Sequence, residues 1–256
     1  MITSSFTIDS PPLITPDMTT RPVDDFPETL VVTFQPKTFR TFIQSWRPEP
    51  FASIHIEEDT GDQATAYVHT VTQQGVRLGV YCSPAGAPIT VATMEQAIAL
   101  GAKRFVVFGS CGVLDDRLNP EDIIVPTEAY RDEGTSYHYA AASDYIGVST
   151  ADRLATELSD MGIPHTLGRV WTTDAFFRET EANLVARRSE GCVAVEMEVA
   201  AVAALAQFRG VEAYHFLFSA DRLGEHWDPR ILGTLPAEPR ARLVQIALDL
   251  AVRLSS

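Results

Sequence analysis

The sequence predicts an α/β protein built on a mixed or mainly parallel central sheet with helices packed around it. Three observations lead there. The strongest β-type runs are continuously apolar rather than alternating, the pattern of strands buried on both faces. Helical segments separate several of them, as crossover connections require. The chain has 256 residues, 45% of them hydrophobic and 21% charged, enough to bury a full core and better suited to one large domain than to two small ones. Residues 1–256 are therefore read as one domain.

Residues 1–28 carry Pro11, Pro12, Pro16, Pro22 and Pro27, so they read as an extended surface arm rather than a regular element. A short apolar strand follows at 30–34, a helix at 37–46 and a polar stretch to 62. Strands at 65–73 and 76–82 flank Gln74-Gly75, a hairpin turn signal. A helix at 89–100 stops at Gly101 and leads into a strand at 104–108. Further strands are expected at 122–126, 167–173, 192–195 and 213–219. Helices are expected at 150–161, with Ser149 or Thr150 as cap and Gly162 as stop, at 199–208 before Gly210, and at 238–254.

The formal net charge of −14, with no clustered Lys or Arg, argues against nucleic-acid binding. No apolar run approaches the roughly 20 residues that span a bilayer, and residues 1–20 are polar and Pro-containing, so no membrane association and a cytoplasmic location are expected. Cys82, Cys111 and Cys192 lie far apart and form no metal-binding spacing, so neither a disulfide framework nor zinc is expected.

In open α/β sheets ligands sit beyond the carboxyl ends of the strands, which gives four segments extra weight. Gly109-Ser110-Cys111-Gly112 reads as a tight turn whose glycines permit positive φ, or as a backbone cradle with a hydroxyl for an anionic oxygen. Thr172-Thr173-Asp174-Ala175-Phe176-Phe177 ends a strand in two aromatics, which fill a core or offer a face to a planar base. Val195-Glu196-Met197-Glu198-Val199 puts two carboxylates between a buried strand and an apolar helix. One fits a helix first turn, and a second suits the vicinal hydroxyls of a ribose. Phe218-Ser219-Ala220-Asp221-Arg222 ends a strand in an acid beside a base: Asp221 is a proton donor if its pKa is raised, and Arg222 a partner for Asp221 or for a ligand.

In this order and spacing the segments resemble the nucleoside phosphorylase and nucleosidase superfamily, which includes uridine phosphorylases, hexameric purine nucleoside phosphorylases and methylthioadenosine nucleosidases. Two further runs support the likeness, 121–126 and Arg131-Asp132-Glu133-Gly134-Thr135-Ser136-Tyr137-His138-Tyr139. The resemblance implies a three-layer αβα fold and a homo-oligomer, a dimer or trimer of dimers. It implies that Met197 and Glu198, with Glu196 beside them, hold the ribose, and that Phe176 stacks on the base. Ser110, Cys111 and Gly112 would lie between phosphate and ribose, and Asp221 would protonate a purine. It implies inorganic phosphate as co-substrate and no metal or other cofactor.

The departures concern phosphate. Val107 stands where the family's phosphorylases have an Arg, and Phe34-Gln35-Pro36-Lys37-Thr38 replaces the usual Gly-Asp-Pro-x-x-Arg, leaving Lys37 or Arg40 as substitutes. No Arg stands near Ala64, where a partner-subunit ligand is expected, and the arm lacks a histidine. Thr180 and Ala182 replace the Gln and Arg that hold uracil, which favours purines. The expected function is phosphorolysis of a purine nucleoside to base and ribose 1-phosphate. The alternatives are hydrolysis, with Glu57 or Glu58 as base, and nucleoside binding without turnover.

Overall fold

The computed structural model describes residues 1–20, 22–54 and 67–255. Glu57, Glu58 and the surroundings of Ala64 lie outside the described residues. In chain order the elements are α1 (Pro16–Thr19), β1 (Thr29–Thr33), α2 (Pro36–Trp46), β2 (Glu49–Ser53), β3 (Tyr67–Gln73), β4 (Val76–Cys82), α3 (Ala87–Leu100), β5 (Arg104–Val113) and β6 (Ile123–Asp132). They continue as β7 (Tyr145–Gly147), α4 (Ala151–Asp160), β8 (His165–Thr173), α5 (Glu181–Ser189), β9 (Cys192–Glu196), α6 (Val199–Arg209), β10 (Glu212–Leu223), β11 (Trp227–Asp228) and α7 (Ala237–Leu254).

The strands run in the order β11-β10-β6-β8-β9-β5-β1-β4-β3-β2, and β10 also pairs with β5. That extra pairing closes β10, β6, β8, β9 and β5 into a ring from which β1 to β4 extend as an open wing. β1, β4, β5 and β10 are mutually parallel through shared pairings, so their carboxyl ends converge. β9 meets β5 antiparallel and brings its own end to the same place through the pair Gly112 and Val195.

Alternation within the continuous apolar runs makes the three layers. Val31, Val80, Val106 and Phe108 pack with Phe39 and Phe42 of α2 and with Leu243, Ile246 and Leu250 of α7. Leu30, Val32, Tyr81, Phe105 and Val107 pack on the other face with Val91, Met94 and Ala97 of α3 and with Ala201, Val202 and Leu205 of α6. Val107, the residue in the place of the family's Arg, is thus a fully buried core side chain. Both faces of the central strands β1 and β5 are covered, so no polar alternation survives in them.

Gln74 and Gly75 both have positive φ, 49° and 82°, the geometry of a two-residue turn that follows the twist of its strands. The pairing of Gln73 with Val76 confirms the hairpin. Gly210, at φ 66°, closes α6 as expected.

The structure differs from expectation in three places. The arm is not wholly extended: Ile2–Ser4 forms a 3-10 turn and α1 a single turn started by Pro16 at its first position. It lies on the surface through the edge contact of Phe6 with Phe208. Four short elements, β2, β7, β11 and α5, escape the sequence reading because their burial is partial and their runs are short or charged. Most consequentially, Gly109 to Gly112 and Ser219 to Arg222 are not turns after strands but the continuations of β5 and β10. Their glycines have no positive φ. A Cβ on Gly109 would come within 2.8 Å of the Phe34 ring, and one on Gly112 within 2.5 Å of Leu223. These glycines serve close packing, and a side chain at either would push the wall inward.

Candidate active site

A cavity of about 170 Å3 opens where β5, β9 and β10 end. Its walls include Ser110, Cys111, Gly112, Phe176, Glu196, Met197, Glu198 and Asp221. Four segments separated by up to about a hundred residues thus meet in one concavity. Arg222 is the exception. As the next residue along β10 it turns to the face opposite Asp221, and its guanidinium approaches Asp116 at 3.7 Å and Asp228 at 3.5 Å. The pairing of Arg222 with Asp221 considered from the sequence does not occur, because neighbouring residues of a strand point to opposite faces.

The two glutamates divide the two readings between them. Glu196 ends β9, and its Oε2 accepts from the backbone N–H groups of Glu198, at 2.6 Å, and Val199, at 2.7 Å, the first donors of α6. Its Oε1 accepts from the Thr172 hydroxyl at 2.5 Å, and that hydroxyl accepts from Ala200 N–H. Glu196 is therefore the helix-terminus carboxylate, supported by otherwise unpaired amides and the macrodipole. Glu198, at the N-cap of α6, accepts from Gly86 N–H at 2.5 Å. Both are buried, at 5% and 6% exposure. Burial raises both carboxyls, but the hydroxyl and two amides hold Glu196 down, whereas the Glu196 charge pushes Glu198 further up. A buried carboxyl with capacity for more donors suits a diol.

Asp221 is set by a bulge. Ser219 pairs with Cys111 and Asp221 with Gly112, so Ala220 is the extra residue, and β10 bends where its acid enters the cavity. Asp221 is 4% exposed, and its Oδ2 accepts from the Trp227 indole N–H at 2.8 Å. Trp227 reaches it because β11 folds back antiparallel on β10. Burial raises the Asp221 carboxyl, against the opposing effects of Trp227 and Arg230. Cys111, buried beside these acids, donates to the Phe218 carbonyl at 3.5 Å, and its pKa is raised, so it stands in the wall as a neutral thiol.

Phe176 lies on a 3-10 turn, 41% exposed, with its ring edge-to-face to Phe177 at 4.8 Å. Asp174 ties the approach to this turn by accepting from Gly134 N–H. The matched run from Arg131 to Tyr139 is scaffold: buried Arg131 donates to Ser136 and the Ala141 carbonyl, and Asp132 accepts from Trp171. A half-exposed Phe176 is not core. Phe176→Ala is expected to leave thermal stability nearly unchanged and to weaken purine and pyrimidine nucleoside binding alike, since stacking contributes about 1 to 3 kcal/mol per base. A loss of several kcal/mol in thermal denaturation would show that the ring is structural instead.

Two features were not legible in the sequence. Glu179 also lines the cavity, and burial, with the Asp221 charge, raises its pKa to about 7. A second chamber of about 410 Å3 shares Phe34, Gln35, Ser110 and Leu232 with the first. Lys37, Arg40 and Arg240 line it, with no carboxylate among the described residues of its wall. Lys37 and Arg40 come from α2, and Arg240 from α7, about two hundred residues away. The Lys37 ammonium donates to the Gly233 carbonyl at 2.8 Å, and the buried Arg240 Nε has no hydrogen-bond partner among the described residues. Thr180, in place of a uracil ligand, caps α5 by accepting from Asn183 N–H.

Residues 29–247 match the phosphorylase superfamily. The chain belongs to that superfamily. A DeoD-type purine nucleoside phosphorylase of Bacillus cereus is 27% identical over 221 residues, covering 80% of this chain and 91% of the relative. The corresponding protein of an Exiguobacterium species is 26% identical over 199 residues, 74% of this chain and 81% of its own. A guanosine phosphorylase of Halorubrum lacusprofundi is 31% identical over 144 residues, which are 54% of this chain and 58% of the relative. The crystal structure of purine nucleoside phosphorylase from Toxoplasma gondii in complex with immucillin-H superposes with a TM-score of 0.75 at 20% identity, covering 93% of this chain and 97% of that one. That likeness bears on the fold and agrees with the layers described above. This member of the superfamily is an enzyme of the pentosyl-transferring type. No helix among the described residues is long and apolar enough to cross a membrane, and those residues hold no cluster of His, Cys, Asp and Glu suited to a metal.

Proposed function

We propose that this enzyme cleaves the N-glycosidic bond of a purine nucleoside with inorganic phosphate, releasing the base and ribose 1-phosphate in a cytoplasmic salvage role. The observation that supports phosphate over water is the basic chamber beside Ser110. In a chain of net charge −14, three cations converge there with no carboxylate in the wall, and one guanidinium nitrogen is buried without a partner among the described residues. A dianion is the ligand that such a wall suits.

In this reading the ribose hydroxyls donate to Glu198, and Met197 packs against the sugar. Glu196 fixes the start of α6 and so the position of Glu198. Phosphate held by Lys37, Arg40, Arg240 and the Ser110 hydroxyl forms a bond from one oxygen to C1′. The C1′–N9 bond breaks, its electron pair enters the base, and Asp221 gives its proton to N7. Phe176 stacks on the base. The catalytic effect comes from positioning and leaving-group protonation. The names of the relatives from Bacillus, Exiguobacterium and Halorubrum support the purine assignment. So does Thr180, occupied with a helix cap where a uracil ligand would be needed.

The test is product identity: purified protein with a panel of purine and pyrimidine nucleosides, with and without phosphate. Ribose 1-phosphate formed only with phosphate is the expected result, and free ribose or no product would overturn it. Arg240→Ala is expected to raise KM for phosphate about tenfold or more, the effect of losing a charge-assisted hydrogen bond, while KM for the nucleoside changes less. An unchanged phosphate KM would remove the chamber from the reaction.

A further inference from the structure

The basic chamber is larger than the ion proposed for it. The four oxygens of a phosphate, each about the size of a water molecule, occupy roughly 120 Å3, against about 410 Å3 of space. Nor does the basic surface end there. A further chamber of about 440 Å3 adjoins it and shares Lys37, Arg40, Gly233, Leu235 and Arg240 with it. Thr41, Gln44, Thr234 and Pro236 complete the outer wall, again with no carboxylate among its described residues. Lys37, Arg40, Thr41 and Gln44 stand at the spacing i, i+3, i+4 and i+7. One stripe of α2 therefore lines the outer chamber over roughly 10 Å. At its rim α7 begins after Pro236 without a side-chain cap, which leaves the first amides and the positive end of the helix dipole for an anion.

Resting on the phosphorolytic reading above, we propose that the outer chamber is a second phosphoryl subsite and that inorganic diphosphate binds across both chambers in competition with phosphate. Ser110 borders the inner chamber and not the outer one. One phosphoryl group of the diphosphate takes the place of phosphate beside Ser110, and the other lies along the α2 stripe at the start of α7. The three cations stand in the wall common to both chambers. Their charge exceeds by one that of a phosphate dianion, and a diphosphate carries at least one charge more. Donors remain for the second group. The Lys37 ammonium gives one of its three N–H bonds to Gly233, and the buried Arg240 Nε has no partner among the described residues. Two guanidinium forks suit the oxygen pairs of two linked phosphoryl groups better than those of one.

The test titrates the full-length protein with sodium phosphate and with sodium diphosphate by calorimetry, without divalent metal, and repeats the diphosphate titration in the presence of saturating phosphate. The wild type is compared with Gln44→Glu and Gln44→Ala. Diphosphate is expected to bind about tenfold or more tightly than phosphate, and saturating phosphate to weaken it. Gln44 is exposed on α2, so neither substitution disturbs the core. In Gln44→Glu the new carboxylate faces the outer phosphoryl group and should weaken diphosphate about tenfold or more, with a smaller effect on phosphate. Gln44→Ala, which adds no charge, should have the lesser effect on both. Equal affinity for the two anions, diphosphate binding indifferent to phosphate, or equal weakening of both anions in Gln44→Glu would overturn the subsite even if ribose 1-phosphate is formed. Tighter diphosphate binding that falls selectively in Gln44→Glu, in a protein that forms no ribose 1-phosphate, would overturn phosphorolysis and leave the subsite standing. Failure to bind either anion would overturn both.

Discussion

Asp221→Asn is expected to slow cleavage of purine nucleosides by about 10²- to 10⁴-fold, the usual contribution of general acid–base catalysis. The substitution keeps the shape of the side chain and leaves an oxygen to accept from the Trp227 indole, so the local structure should persist. What is lost is the ionisable proton, which burial favours in Asp221. A riboside with a nitrophenolate leaving group departs without protonation and should be largely spared. Arg222 does not enter this argument, since its ion pairs are with Asp116 and Asp228. Equal losses on the two substrates would make Asp221 a support for the cavity wall and remove the purine-protonating step.

The second large effect is expected for Glu198→Gln, a loss of about 1 to 3 kcal/mol in kcat/KM, because a charged acceptor for sugar hydroxyls disappears from a desolvated site. Near-normal turnover would take Glu198 out of the sugar site. Stability should move the other way. Burial and the Glu196 charge raise the Glu198 carboxyl above its ordinary value, so the folded protein binds this proton more tightly than the unfolded chain does. Stability from this group is therefore greatest at low pH and is lost as pH rises from the ordinary carboxylate range through the raised value. The amide carries no such charge and can still accept from Gly86 N–H. The Tm of Glu198→Gln should equal or exceed that of the wild type, with the gain largest at alkaline pH. Sugar binding, which needs the carboxylate, should weaken in the wild type as pH falls through the same window. In the variant that dependence should be much reduced.

Much of this protein is written locally in the chain. The continuous runs from 104 to 108 and from 213 to 219 are apolar because both of their faces are covered, and that cause acts residue by residue along the strand. Gln74-Gly75 and Gly210 were legible because each backbone position requires a positive φ that few residues tolerate. The acids at 196, 198 and 221 stood out because carboxylates beside buried strands need a reason. Locality also set the limit of that reading. Gly109 and Gly112 looked like turn residues, since their own segment does not contain the Phe34 and Leu223 side chains that crowd them. Arg222 and Asp221 looked like a pair, although the strand separates them onto opposite faces.

The tertiary structure alone decided the division of labour between Glu196 and Glu198, which depends on where Thr172 and Gly86 arrive. It also brought Trp227 back to Asp221, put Glu179 into the cavity wall, and set Arg240 of the last helix beside Lys37 of α2. Counting arginines near the first strand and the glycine segment therefore could not register Arg240, which α7 places beside Lys37 from the far end of the chain. Periodicity, caps and turn residues report forces acting over a few neighbours. A cavity is made by side chains that meet only after the sheet has closed, and the path that joins them is not encoded in the spacing of any one segment.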